Sequence, residues 1–149
     1  MVVELEQSAQ GARVPIREGL LAGDLANLSS VRLRGTRCLT CHEVSLGHNE
    51  VCPNCGGSHV EDMALSDKGT LWTFTVVRNR PPGDYKGADP FVPFGLGLVE
   101  LPDGLRVLSP IDVDISRMEI GMPLSFSARV SHRDAESRDV VAFTFKSIG

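Results

Sequence analysis

Apolar and polar positions alternate with a period of two along most of the second half of the chain. Trp72, Phe74 and Val76 occupy every second position after Gly69. This period places successive side chains on opposite faces of a β-strand. Further strands are predicted at residues 94–101, 105–109, 124–130 and 140–146. We therefore expect five short strands from position 69 onward.

The connections between these runs favour a closed barrel. The sequence Pro102-Asp103-Gly104 predicts a tight hairpin, because Asp and Gly tolerate the left-handed backbone conformations that such a turn requires. The link over residues 111–121 is longer. Five antiparallel strands with one longer link fit an OB-type Greek-key barrel, whose closure removes exposed sheet edges. An open β-sandwich is the alternative.

The apolar spacing is different in the segment before the cysteines. Ile16, Leu20, Leu21, Leu25 and Leu28 follow one another at intervals of four, one, four and three residues. These intervals predict an amphipathic helix, or two short helices broken at the glycine at position 23. Four of these side chains form a leucine stripe that has to be buried against another apolar surface: Leu20, Leu21, Leu25 and Leu28. It either packs on its own domain or docks on another protein.

Composition and charge narrow the class of protein. The 149 residues are 42% hydrophobic, which suits one main core with a small appendage. The net charge of −4 disfavours DNA or RNA as a partner, because nucleic-acid affinity comes mainly from basic residues. Glu4 and Glu6 stand where a secretory leader carries Lys or Arg, and no window approaches the roughly 18 apolar residues of a membrane span. We therefore expect a cytoplasmic protein that does not bind membranes.

All four cysteines lie in two CxxC pairs. Cys38 and Cys41 form the first pair, Cys52 and Cys55 the second, and ten residues separate them. Four thiolates on facing turns are the ligand set of a tetrahedral zinc ion, and a reducing cytoplasm disfavours two disulfides. We predict one Zn²⁺ per chain with a structural role, because four protein ligands leave no position for a reactive water. A rubredoxin-like iron remains an alternative.

The linker between the first two predicted strands has the composition of a binding loop. Residues 78–93 are longer than a barrel connection needs, and long loops are usually functional or disordered. Cations and aromatic groups in this loop could meet phosphates and an apolar or planar partner. These candidate residues are Arg78, Arg80, Tyr85, Lys86 and Phe91. A mobile surface loop without a ligand is the alternative.

The order of these features resembles a known family. A short N-terminal helix, a ribbon with CxxC and CPxCG, the strand at residues 69–77, the strand at residues 93–101 and Ile120-Gly121-Met122-Pro123-Leu124 occur in that order. This arrangement is similar to the acyl-CoA-associated proteins with a rubredoxin-like zinc ribbon and an OB fold, long catalogued as a domain of unknown function. The sequence departs from many relatives between the two CxxC pairs, where residues 44–48 replace an aromatic-proline-proline stretch.

The resemblance implies a partner. Family members are generally small accessory subunits of thiolase-fold enzymes: β-ketoacyl-CoA thiolases, CoA-dependent lyases or acyltransferases. By resemblance, the four cysteines bind the metal, and the chain is a non-catalytic subunit that binds a thiolase-fold catalytic subunit and helps form its acyl-CoA site. An alternative from another class is a zinc-ribbon and OB-fold protein that binds nucleic acid. A third is an independent module that binds CoA or an acyl carrier.

The predicted fold is mainly β, with four parts along the chain. Residues 1–14 form a flexible tail, and residues 15–37 form a helical partner-docking segment. Residues 38–62 form the four-cysteine zinc ribbon. Residues 63–149 form the five-stranded OB-type Greek-key barrel.

Overall fold

A computed structural model of the chain describes residues 12–148, and these residues are built almost entirely from β-strands. The strands are β1 (Arg13–Pro15), β2 (Leu21–Ala22), β3 (Arg32–Cys38), β4 (Val44–Leu46), β5 (Val60–Ala64), β6 (Lys68–Val77), β7 (Phe94–Glu100), β8 (Arg106–Asp112), β9 (Pro123–Arg133) and β10 (Asp139–Ser147). Two single 3₁₀ turns lie at Leu28–Ser30 and Ile115–Arg117. Most of the tail predicted at residues 1–14 lies outside the described range.

Strands β6 to β10 form a closed barrel. Neighbouring strands pair antiparallel in the order β8, β7, β6, β9 and β10, and a parallel pairing of β10 with β8 completes the circle. This order is that of an OB-type Greek key, so the predicted five-stranded barrel is confirmed and the open β-sandwich is excluded. Each of the five predicted strands lies within two or three residues of an observed one.

The barrel interior is formed by alternate residues of each strand. Along β7, Gly95, Gly97 and Val99 are buried while the residues between them are only partly covered. The glycines are required by space, because a Cβ at Gly97 would come within 2.9 Å of the Thr73 carbonyl oxygen. Close approach of this kind lets the strands curve into a narrow barrel.

A second, smaller sheet precedes the barrel. Its central strand is β3, which pairs antiparallel with β2 and β4 and, through residues 34–38, with β5. Cys38 ends β3 and lies opposite Val60 of β5. The sheet therefore carries the first CxxC turn at one end.

The prediction of a helical segment at residues 15–37 is wrong, because no α-helix occurs anywhere in residues 12–148. The segment is extended, and its backbone bonds to distant strands: the Ile16 N–H donates to the Val141 carbonyl at 2.8 Å, and the Leu20 carbonyl accepts from Arg34 N–H at 2.8 Å. Gly19 and Gly23 have positive φ angles of 79° and 100°, which interrupt a helix. Tertiary strand pairing has overridden a helical spacing.

The leucine stripe packs inside the molecule. Leu20 is 5% exposed and belongs to the core, against which Leu21 and Leu25 also pack. Leu28 is half-buried at the first 3₁₀ turn. The leucine stripe therefore packs on its own domain. Its side chains do not form the continuous exposed surface that a docking helix would need.

One core joins the small sheet to the barrel. Val31, Leu33 and Leu65 from the first part lie in the same buried cluster as Leu71 and Phe145 of the barrel. The connection also uses polar contacts: Asp67 forms an ion pair with Arg32 at 3.4 Å and accepts a hydrogen bond from Phe126 N–H at 2.8 Å through its backbone carbonyl.

No helix within residues 12–148 has the length and apolar character needed to cross a bilayer.

Candidate functional site

The four cysteines converge at one end of the small sheet. Their Sγ atoms all lie within 4.8 Å of one another. Cys38 and Cys55 are separated by 3.6 Å between sulfurs, as are Cys41 and Cys52. These distances are far longer than the roughly 2.05 Å of a disulfide bond, and all four thiols are free.

Each CxxC pair forms a tight turn that points backbone N–H groups at sulfur. Cys38 Sγ accepts hydrogen bonds from Thr40 N–H and Cys41 N–H, both at 3.4 Å. Cys52 Sγ accepts from the equivalent positions of the second turn, at 3.3 and 3.4 Å. A residue with positive φ follows each turn, His42 at 67° and Gly56 at 77°. The two turns are therefore near copies that face each other.

The thiols differ in acidity because they share one small volume. The Cys41 and Thr40 N–H groups lower the pKa of Cys38 to about 6, against the opposing effect of burial. The Gly57 N–H lowers the pKa of Cys55, but its neighbouring sulfurs, first Cys38, and burial outweigh this effect and raise the pKa to about 11. The close sulfurs thus oppose ionisation of all four thiols at once, and four thiolates together require a cation to balance their charge.

The sulfur geometry fits a tetrahedral metal ion. Four sulfurs at about 2.3 Å from a central zinc are separated by about 3.8 Å from one another. The observed 3.6 Å pairs and the 4.8 Å limit for the whole set bracket this value. Asn54 Nδ2 adds a hydrogen bond to Cys41 Sγ at 3.6 Å, in the manner of groups that orient metal ligands. A bound metal would hold the two turns together and would be fully enclosed by protein ligands.

No histidine joins the four-cysteine cluster in the described range. His48 instead lies beside Asp62, with Nδ1 at 3.1 Å from the carboxylate, and Arg34 contacts both residues. The Arg34 guanidinium and then His48 hold the pKa of Asp62 below its usual value. The Arg34–Asp62 ion pair connects β3 to β5.

The loop at residues 78–93 joins β6 to β7 and packs on an aromatic cluster of its own. The ring centroids of Tyr85 and Phe91 are 5.8 Å apart, and each ring is 6.3 Å from Phe94. The Arg80 guanidinium lies 5.6 Å from the Tyr85 ring centroid. Of the predicted loop residues, Arg80 and Phe91 therefore lie next to Tyr85.

A groove of about 1010 Å³ is lined by this loop together with residues of strands β7 to β10. Of the predicted binding residues, Tyr85 and Lys86 line the groove; Arg78, Arg80 and Phe91 are not part of its lining. Much of the wall comes from residues that sequence reasoning missed: Ile16, Leu108, Pro110, Arg129, Val130 and Phe143. The alternation of β8 and β9 marks some of these as outward-facing, but only barrel closure brings them to one place.

The groove is apolar with a few charges at its edge. Ile16, Val92 and Leu108 are exposed hydrophobic side chains on its wall. Lys86 forms an ion pair with Asp84 at 2.8 Å, and this contact holds the pKa of Asp84 below its usual value. The volume is in the range of small-molecule and cofactor sites, which are mostly apolar with a few polar groups.

The chain is similar to known proteins over most of its length. Residues 63–129 match the family model described as ChsH2, C-terminal OB-fold domain. Over 116 residues the chain is 32% identical to a DUF35 domain-containing scaffold protein of Methanothermobacter thermautotrophicus, covering 76% of this chain and 84% of that protein. The chain belongs to the DUF35 family. Family membership confirms the resemblance predicted from the sequence.

Two further matches extend the DUF35 comparison. The chain is 28% identical over 81 residues to benzoylsuccinyl-CoA thiolase subunit BbsA of Thauera aromatica, covering 54% of this chain and 51% of that protein. A solved structure titled Ltp2-ChsH2(DUF35) aldolase superposes with a TM-score of 0.58 at 24% identity, covering 78% of this chain and 84% of that chain. At this level of identity the superposition establishes the shared fold.

Proposed function

We propose that this DUF35 chain is a non-catalytic accessory subunit of a heteromeric thiolase-fold enzyme, and that it binds the catalytic subunit and helps form the acyl-CoA site. The enzyme classes in question are β-ketoacyl-CoA thiolases, CoA-dependent lyases and acyltransferases. The names of two relatives, a scaffold protein and a thiolase subunit, support this proposal.

The observation that carries the proposal is the position of the cysteines. The sequence contains four cysteines, and all four lie in the one cluster. If they bind a metal, the chain has no thiol left to act as the nucleophile of thiolase chemistry. Catalysis would then depend on a nucleophile from another chain, which is the division of labour expected of an accessory subunit.

The metal in this proposal is one Zn²⁺ per chain, bound by Cys38, Cys41, Cys52 and Cys55. Four thiolate ligands and a closed coordination shell are typical of structural zinc. The small sheet buries few apolar side chains near the cysteine turns, because its core residues lie at the barrel end. Metal binding of roughly 10–16 kcal/mol in comparable modules would supply the stability of these turns.

The groove supports a role in acyl-CoA binding. Its apolar wall, which includes Leu108 and Val130, could contact an acyl chain or the pantetheine arm. Lys86 and Arg129 at the same groove could contact phosphate or carboxylate groups. Tyr85 offers a planar surface beside them. In this proposal Arg78, Arg80 and Phe91 act from the loop, by positioning Tyr85 or by facing the catalytic subunit.

Nucleic-acid binding is the competing proposal, because OB barrels are known to bind oligonucleotides. The net charge of −4 argues against it. The exposed Trp72 could stack on a base, but the cation beside it, Arg106, is already paired with Glu100 at 3.1 Å. We therefore favour a protein partner.

Affinity purification of the tagged chain from its native cell tests the proposal. We expect a thiolase-fold protein to copurify in a defined stoichiometry, and acyl-CoA turnover to require both chains. The isolated chain should show no thiolase, lyase or hydrolase activity. Turnover of acyl-CoA by the single purified chain, or recovery of the chain with nucleic acid and no thiolase-fold protein, would contradict the proposal.

A further inference from the structure

The outward side of strands β6, β7 and β8 carries several large apolar side chains together with two threonines. We call it the outer barrel face, and it consists of Trp72, Thr73, Thr75, Leu96, Leu98 and Leu108. The strand register places Leu98 opposite Leu108 and next to Thr73, and Leu96 opposite Thr75. Trp72 is 45% exposed and Leu108 is 60% exposed. Large apolar side chains grouped on one surface usually mark an interaction site.

A β-bulge sets the position of the tryptophan. The register between β6 and β7 shifts between Leu71 and Thr73, so that Trp72 leaves the regular alternation and lies outside the barrel. The Arg106 guanidinium lies 3.9 Å from the Trp72 ring centroid, and Glu100 fixes Arg106 at 3.1 Å. Trp and Arg are both among the residue types enriched at the energetic centres of protein interfaces.

The chemistry of the face points to a protein surface as its partner. The two charges beside the face, Arg106 and Glu100, neutralise each other. Strand β7, at the centre of the face, is paired with β6 on one edge and with β8 on the other, so its backbone groups are not free to bind an added strand. A partner must therefore contact the face through side chains, and an apolar patch complements it better than a phosphate backbone.

The outer barrel face continues into the groove. Leu96 and Leu108 belong both to the face and to the groove lining, and Pro110 follows on the groove side. A smaller pocket of about 260 Å³, lined in part by Thr73, Thr75 and Leu98, lies on the same surface. A molecule that covers the face would therefore reach the opening of the groove.

We infer that the outer barrel face, centred on Trp72 and Leu108, is the docking surface for the thiolase-like catalytic subunit. This inference rests on the proposed function, because that subunit has to reach the groove where acyl-CoA is shared. The complementary surface on the catalytic subunit is an apolar patch. A second copy of this chain is a poorer occupant, because two chains of net charge −4 repel each other and neither brings a nucleophile to the groove.

The test compares two matched substitutions of exposed apolar residues. Leu108→Asp places a charge in the outer barrel face, and Val51→Asp places one on the cysteine-containing end, where Val51 is 53% exposed. Both side chains are largely exposed, so both variants should keep the wild-type circular dichroism spectrum and melting temperature. A third variant, Trp72→Ala, removes the centre of the face without adding charge.

The affinity for the copurified catalytic subunit is measured by calorimetry. We expect Leu108→Asp and Trp72→Ala to weaken binding by about a hundredfold or more, and Val51→Asp to change it less than threefold. Unchanged binding by both face variants, or loss of binding only in Val51→Asp, overturns the docking surface and leaves the accessory role intact. A wild-type homodimer that Leu108→Asp dissociates also overturns it, in favour of a second copy. A wild-type chain that binds no thiolase-fold protein overturns the proposed function and the docking surface together.

Discussion

Replacement of Cys52 by serine should remove the metal from the chain. Cys52 is 3% exposed and its sulfur lies 3.6 Å from that of Cys41, so it occupies one corner of the proposed tetrahedron. If four ligands share roughly 10–16 kcal/mol, each thiolate contributes on the order of 3 kcal/mol. A hydroxyl is a poor substitute, so zinc affinity should fall by a factor of more than about 100.

The structural consequence should be confined to one end of the molecule. Residues 39–43 and 51–58 form the two cysteine turns, and Cys52 Sγ also accepts hydrogen bonds from the N–H groups of Asn54 and Cys55. Val31 and Leu33 are instead fixed by the shared core. We therefore expect Cys52→Ser to lose amide-exchange protection in residues 39–43 and 51–58 and to keep it in the barrel strands.

The assay is metal analysis of protein purified without added metal, together with amide hydrogen exchange. Wild type should contain close to one equivalent of zinc, and Cys52→Ser much less than one. Val51→Ser is the matched control, because it changes an exposed neighbour that is not a ligand. If Cys52→Ser kept a full equivalent and wild-type protection, the assignment of the four-cysteine site would be refuted. One equivalent of iron in place of zinc would retain the site and correct the metal.

Three further predictions address the core, the acidic contacts and the partner class. Leu33→Ala should destabilise the whole chain by about 2–5 kcal/mol, because Leu33 is 1% exposed in the core shared by the small sheet and the barrel; denaturant unfolding that shows a loss below about 1 kcal/mol would contradict a shared core. The pKa of Asp134 is lowered, first by the Arg138 N–H, which donates to it at 2.8 Å. The ionised Asp134 carboxylate therefore stabilises the fold above its unfolded pKa, and this stabilisation is lost as the pH falls through the lower folded pKa. Asp134→Asn should flatten the acid limb of a plot of stability against pH. An unaltered acid limb would show that the contact contributes little to stability. In a mobility-shift assay at low ionic strength we expect no complex with single-stranded DNA or RNA; sub-micromolar binding with a steep salt dependence would favour the nucleic-acid alternative.

The local sequence pattern was sufficient for the barrel strands and for the four-cysteine cluster. A period of two identifies a strand with one buried face, because the pleat sends alternate side chains to opposite sides. The hairpin at residues 102–104 was also predictable: Gly104 has a φ of 102°, and the Leu101 N–H donates to the Leu105 carbonyl at 2.9 Å across the turn. Each CxxC pair determines the shape of its own turn, because the N–H groups that donate to the first sulfur belong to residues of the same pair.

The leucine spacing failed because it does not distinguish between two ways of burying the same side chains. Intervals of three and four residues place side chains on one face of a helix, but an irregular extended segment with glycine turns can bury Leu20 and Leu25 as well. The deciding contact is distant in sequence. Arg13 to Pro15 pair in parallel with Asp139 to Val141 of the last strand, and no local pattern near residue 20 specifies this partner.

Tertiary structure also decided the groove and the outer barrel face. The loop composition singled out Tyr85 and Lys86, but their neighbours Leu108 and Arg129 come from strands that meet only when the barrel closes. The regular alternation in the sequence placed Trp72 on the same face as Phe74 and Val76. Trp72 is exposed instead because the register of β6 against β7 shifts by one residue at this point. Periodicity reports which side chains need burial, whereas strand register and closure determine which neighbours they meet, and the candidate surfaces depend on those neighbours.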